Sequence, residues 1–183
     1  MTTTQKTIIE SILAAYPVCQ YAFLTPQDLE FPRRVRTICE TECPRYNTTW
    51  ACPPAVGSVE ECRERCFSYA DVLLVTTLAE VEDTGLLEET LKTREAHEEV
   101  MRGLIRDLKK EGIEGFALST ESCDICPTCA YPDAPCRFPD KMIPCVESYG
   151  ILVTAAAEKA GIDFFYDSRT VTWFGMLFYN RIR

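Results

Sequence analysis

Eleven cysteines stand in this 183-residue chain, and their spacing is the first chemistry the sequence offers. Cys123, Cys126 and Cys129 recur at a three-residue step, so one loop can curl around an inorganic cube and present three sulfurs to three iron corners. A tetrahedral zinc site takes one CxxC knuckle from each of two segments, and a third cysteine at the same short step fits it poorly. The triple therefore favours iron–sulfur over zinc. Cys136 follows, bracketed by Pro135 and the turn Arg137-Phe138-Pro139, and can close the same cluster or reach a second one. Upstream, Cys39, Cys43 and Cys52 supply three more thiols in an aperiodic stretch. Pro53-Pro54 stiffens the chain after Cys52, and Tyr46 and Trp50 are available as an aromatic shell that keeps water away. A zinc loop made from both cysteine blocks is the competing reading.

The other reactive residues are read more plainly. Cys62 and Cys66 lie four apart, on one face of an expected helix, and small buried thiols account for them; Cys19 beside the first strand is read the same way. His97, the one histidine, sits among Glu95, Glu98 and Glu99 and is expected to be exposed and hydrogen-bonded, with no role as ligand or base. Neither GxGxxG nor a Walker pattern occurs, and no Ser-His-Asp set can be built around this histidine.

Nineteen basic against 28 acidic residues leave a formal charge of −9, which repels phosphate backbones, so nucleic acid is not an expected partner. No segment approaches the roughly 18 consecutive apolar residues of a membrane span. The first seventeen residues carry Ile8, Ile9, Ile12 and Leu13 as one helix face rather than an unbroken leader-like run, so a cytoplasmic location is expected. In that reducing setting an odd cysteine count reads as metal ligation rather than disulfides.

The elements that must position these thiols follow from periodicity. A helix is expected over 4–16 and a strand over 21–24. Periodicity then disappears from 33 to 54, which reads as loop. Ser58-x-x-Glu61 is a capping box opening a helix to about residue 69. Residues 70–78 form an apolar strand, 87–108 one long amphipathic helix stopped by Gly112, and 115–119 a strand that leads into the second cysteine block. A helix over 147–159 closed by Gly161, and a hairpin of 163–166 with 170–179, complete the chain. The expected architecture is a single α/β (or α+β) domain spanning 1–183. It has a small mixed sheet, flanking helices and two cysteine-rich loops, at about 33–66 and 121–147, that enclose metal clusters.

Four motifs in one order carry a resemblance: Arg36-Thr37-Ile38-Cys39 with Cys43 and Tyr46; Trp50-Ala51-Cys52-Pro53-Pro54; Cys123-Asp124-Ile125-Cys126-Pro127-Thr128-Cys129; and Pro135-Cys136-Arg137-Phe138-Pro139, with Glu147 to Ile151 beyond. The chain resembles the prokaryotic cysteine-rich family described only as predicted metal-binding protein, from about residue 33 to the end. The resemblance implies a cytoplasmic protein of mostly anaerobic prokaryotes with presumed iron–sulfur binding and no established reaction. It places ligands on Cys39, Cys43, Cys52, Cys123, Cys126, Cys129 and Cys136. At Cys145 the sequence departs from a pattern with a small residue such as Ser, so Cys145 is either an eighth ligand or a free thiol.

Three functions follow as expectations. The first is an electron carrier with two [4Fe–4S] clusters whose acidic surface docks a redox partner protein; a homodimer shielding clusters near the surface is compatible with it. In the second, Cys39, Cys43 and Cys52 alone hold one cluster, leaving an open iron as a Lewis acid for a small-molecule substrate oriented by Arg36, Arg45 or Lys141. The third is a zinc-stabilised structural protein.

Overall fold

In a computed structural model, residues 2–181 are described; the outermost ends of the expected 1–183 domain lie outside them. Helix α1 (Thr3–Leu13) starts where the Thr2 hydroxyl accepts from the Gln5 amide and buries Ile9 and Leu13. Strand β1 (Gln20–Leu24) follows. Helix α2 (Arg33–Thr41) then occupies a stretch whose sequence shows no helical period. Its buried residues are Val35 and Arg36, and an arginine on the inner face hides the pattern. Helix α3 (Val59–Phe67) opens on the expected capping box: Ser58 Oγ accepts from the Glu61 amide at 3.1 Å, and Glu61 Oε2 accepts from the Ser58 amide at 2.8 Å.

After strand β2 (Asp71–Glu80), the expected long helix is two: α4 (Leu87–Lys92) and α5 (Arg94–Lys110). They part at Thr93, whose hydroxyl accepts from Trp173 Nε1 at 2.8 Å and donates to the Thr90 carbonyl at 2.8 Å. Strand β3 (Gly115–Leu118) leads to the second cysteine block. The expected helix over 147–159 is likewise divided, into a 3-10 turn (Glu147–Tyr149) and α6 (Val153–Ala160). Gly150 at φ +79° parts them, packed against Val59 where a Cβ would crowd. Of the expected terminal hairpin only β4 (Thr170–Tyr179) forms; residues 163–166 pair with no strand, and Phe164, Phe165 and Tyr166 stay exposed.

The sheet has the order β1-β2-β4-β3 with every ladder antiparallel; parallel pairing is confined to the isolated bridge Ser119–Cys145. Alternation along β2 divides the core in two. Val72 and Leu74 face α3 and α6, with Cys62, Cys66, Ala156 and Phe178, whereas Leu73 and Val75 face α1 and α5, with Ile9, Leu13, Met101 and Leu104. Burial on both faces is why residues 72–75 read as a continuous apolar run. Each such side chain contributes about 1.5–3 kcal/mol on leaving water. This α/β architecture brings the two cysteine loops together beyond the end of β3, where Ser122 meets Thr49 and Cys52.

Candidate metal centre

Two cavities gather eight of the cysteines, four around each. The first, of about 280 Å³, is lined by Cys39, Cys43, Cys52 and Cys145 together with Tyr46 and Glu147. Helix α2 delivers Cys39, and Arg36 one turn earlier locks that helix in place. Its guanidinium donates to the Gly57 carbonyl at 2.8 Å and the Ser148 carbonyl at 2.5 Å, with Cys62 Sγ at 3.7 Å. Cys145 arrives from far along the chain because the Ser119 bridge holds it there: the Ser119 amide donates to Pro144 and the Val146 amide to Ser119, at 2.9 and 2.8 Å. Its thiol donates to Glu147 Oε2 at 2.7 Å, and Cys52 Sγ donates to Ser122 Oγ at 3.1 Å.

The second cavity, much tighter at about 20 Å³, is lined by Cys123, Cys126, Cys129 and Cys136 with Trp50 and Phe138. Trp50 thus serves the second set and Tyr46 the first, although both lie in the first cysteine block. The indole donates to the Ala134 carbonyl at 3.0 Å and meets Tyr131 edge-on at 4.9 Å, and Tyr131 donates to Asn47 at 2.9 Å. Arg137 ties its turn to the Thr128 carbonyl at 2.8 Å. Behind the loop, buried Arg94 of α5 donates to the Ser122 carbonyl at 2.5 Å and pairs with Asp124, which fixes both neighbours of Cys123.

The cavities share a wall. Ala51 lines the second and Cys52 the first; Ser122 lines the first and Cys123 the second. Thr49 Oγ1 lies 3.3 Å from Ser122 Oγ across this partition. Glu121, at φ +55°, turns the chain out of the β3 region into it, a left-handed conformation that costs a non-glycine residue about 1 kcal/mol or more.

At three of the cavity cysteines, Cys39, Cys123 and Cys145, the surroundings favour the protonated thiol. Burial pushes Cys39 up to about 11, with Cys43 adding to the rise and Arg36 opposing it. Burial raises Cys123 as well, and raises Cys145 far more, with Glu147 beside it contributing. Glu147 itself is raised by burial. A metal taken by these thiols would release protons, and its binding would strengthen with pH.

The remaining cysteines stay outside both cavities. Cys62 and Cys66 are core thiols, as expected, whereas Cys19 is exposed, 3.6 Å from the Tyr166 hydroxyl, and not a buried apolar thiol. His97 also departs from expectation: it is 1% exposed, with Nδ1 2.8 Å from Thr77 Oγ1. The helix turns its His97 face to the sheet, and the glutamates that suggested exposure lie on other faces, except Glu98, which is buried against Arg102 at 3.2 Å. Of the three cations considered for substrate, Arg36 is consumed by backbone carbonyls, Arg45 lines the first cavity, and Lys141 lies over the Phe138 ring outside both. Among the described residues, no three His, Cys, Asp or Glu side chains converge tightly enough for one metal ion. No helix among them is long and apolar enough to cross a membrane.

Comparison with known proteins adds one finding. No curated protein and no solved structure matches the chain. A family model does, over residues 22–179, a span that contains all eight cysteines of the two cavities, all four of the sheet's strands except the first two residues of β1, and every helix but α1. On that match the chain belongs to the family described as predicted metal-binding protein (DUF2284).

Proposed function

We propose that the chain is an iron–sulfur protein with two [4Fe–4S] clusters, one held by Cys39, Cys43, Cys52 and Cys145 and the other by Cys123, Cys126, Cys129 and Cys136, and that it transfers electrons. The observation that carries this reading is the division of eight thiols, four and four, around two cavities with a common wall. Such a cluster supplies one-electron oxidation and reduction, at a potential set by burial, hydrogen bonds to sulfur and net charge. The chain's own groups serve those three factors. Ser122 stands within hydrogen-bond reach of the Cys52 sulfur, Trp50 lines the second cavity with Tyr131 packed edge-on against it, and Arg94 holds the Ser122 carbonyl beside both cavities. A surface with a net charge of −9 suits a basic redox partner.

A second reading is favoured by the Cys145–Glu147 contact. If that thiol stays on the carboxylate, three cysteines hold the first cluster, one iron remains open, and the larger cavity admits a substrate oxygen or sulfur beside Arg45. Iron, acid-labile sulfide and zinc per chain, measured on protein purified without oxygen, test the proposal. About eight irons and eight sulfides support two cubanes. About four refute the two-cluster carrier, and zinc without sulfide refutes both readings and leaves metal as a structural staple.

A further inference from the structure

A groove of about 740 Å³ lies outside both cysteine cavities, within the size range of small-molecule sites. It opens along the outer edge of β3, the last strand of the sheet, on the side of Phe116 and Ala117 away from β4. Chain segment 140–144 forms the opposite wall, with Ile143 buried in the core beside Ala117 and Leu177, and joins β3 at the Ser119–Cys145 bridge.

Its charge opposes that of the molecule. Arg65, Arg102, Arg106, Lys109 and Lys141 line it against one carboxylate, Asp140, in a chain of net charge −9. Some of this charge is answered locally. Asp107 takes Arg106, Glu98 takes one terminal nitrogen of Arg102, and Tyr149 accepts from Arg65 at 2.6 Å. Three groups are left over. Lys109 and Lys141 have no carboxylate partner among the described residues, and the enclosed Nε of Arg102 donates to nothing. Phe116 and the buried Tyr149 line its floor, stacked at 5.7 Å, and Phe178, outside the lining, stacks on Phe116 at 4.6 Å.

We propose that this groove binds a small organic anion with two or more negative charges, phosphate or carboxylate, on an aromatic or apolar body. Lys109 and Lys141 offer charge without fixed geometry to either oxyanion, the guanidiniums of Arg65, Arg102 and Arg106 add to the positive field around it, and half-buried Phe116 receives the body. The groove is a separate site from the metal cavities, and its occupancy does not depend on iron. It is not remote from them, because Met142 lines both the groove and the Cys123 cavity, and residues 140–144 lead directly into Cys145.

Calorimetric titration of the full chain at low ionic strength with three probes tests this: adenosine monophosphate for the phosphate source, phthalate for the carboxylate source, and adenosine as the uncharged control. Binding of either anion with none by adenosine supports the proposal and identifies the source. It should weaken on going from about 0.05 M to about 0.5 M salt. The double substitution Lys109→Glu with Lys141→Glu, both exposed, should weaken it at least about tenfold while far-UV circular dichroism stays unchanged. Failure of both anions to bind, equal binding of adenosine, or unaltered affinity in the double variant would overturn it.

Discussion

His97 gives the sharpest test of the packing, because it is the one histidine in the chain and is buried without its charge. Desolvation holds its pKa down to about 4, a backbone contact at Phe174 opposes this, and nearby Arg94 adds to the depression. The imidazole is therefore neutral in the folded protein, while in the unfolded chain it takes a proton below about pH 6.5. Stability from this group is complete above that pH, falls as pH drops towards 4, and changes no further below. A gap of about 2.5 units corresponds to about 3 kcal/mol in full, of which about 2 kcal/mol is lost by pH 5. The perturbation is His97→Asn, which keeps a polar atom for Thr77 and removes the titration. Urea midpoints of both proteins at pH 7.5 and pH 5.0 isolate the effect, because every carboxylate contributes alike to each and cancels. The wild type should lose about 2 kcal/mol more than the variant over that interval. The single histidine resonance should also show no midpoint near 6.5. Equal losses in the two proteins, or a midpoint at the ordinary value, would refute the reasoning. Charging His97 also sets a second cation near Arg94, the residue that holds Ser122 and Asp124, so acidification loosens the second cysteine loop.

Other outcomes follow from the same contacts. Cys145→Ser should remove about four irons per chain if its sulfur is a ligand and none if it is a free thiol, read by iron and sulfide analysis. Cys62→Ser should leave the metal content intact and lower the urea midpoint, since its thiol is 1% exposed in the core and serves neither cavity. Arg36→Met should cost about 3 kcal/mol, because the Gly57 and Ser148 carbonyls lose a charged donor, and should reduce iron at the first cavity more than the second. Gly115→Ala would drive a methyl group into the Phe178 carbonyl, so β3 should separate from β4 at a cost of about 1–3 kcal/mol, visible as faster amide exchange across residues 115–118.

What the sequence disclosed was local. The capping box at Ser58 and Glu61 sits where its spacing required, and Gly112 and Gly161 adopt the positive φ expected of residues that stop helices. Cys123, Cys126, Cys129 and Cys136 line one cavity because all four lie within fourteen consecutive residues, although Thr49, Trp50 and Ala51 from the first block complete its wall. The misses have non-local causes. Helix α2 is invisible because its buried face is built on an arginine that satisfies carbonyls far along the chain. The placement of Cys145 beside Cys39, Cys43 and Cys52 depends on a single parallel bridge to Ser119, and no spacing encodes it. Residues 163–166 carry strand-favouring aromatics, but the sheet β1-β2-β4-β3 forms without them, and Phe164, Phe165 and Tyr166 stay exposed, with Phe164 stacked on Phe174 at 5.1 Å.

The partition between the cavities is one residue thick at two places: the chain passes from one lining to the other within the step Ala51–Cys52 and again within Ser122–Cys123. Ala51 is fully buried there, so a larger side chain has no free side into which to expand. A displacement of Cys52 carries Ala51 with it, and one of Cys123 carries Ser122, so a disturbance in either lining reaches the other across a single peptide step.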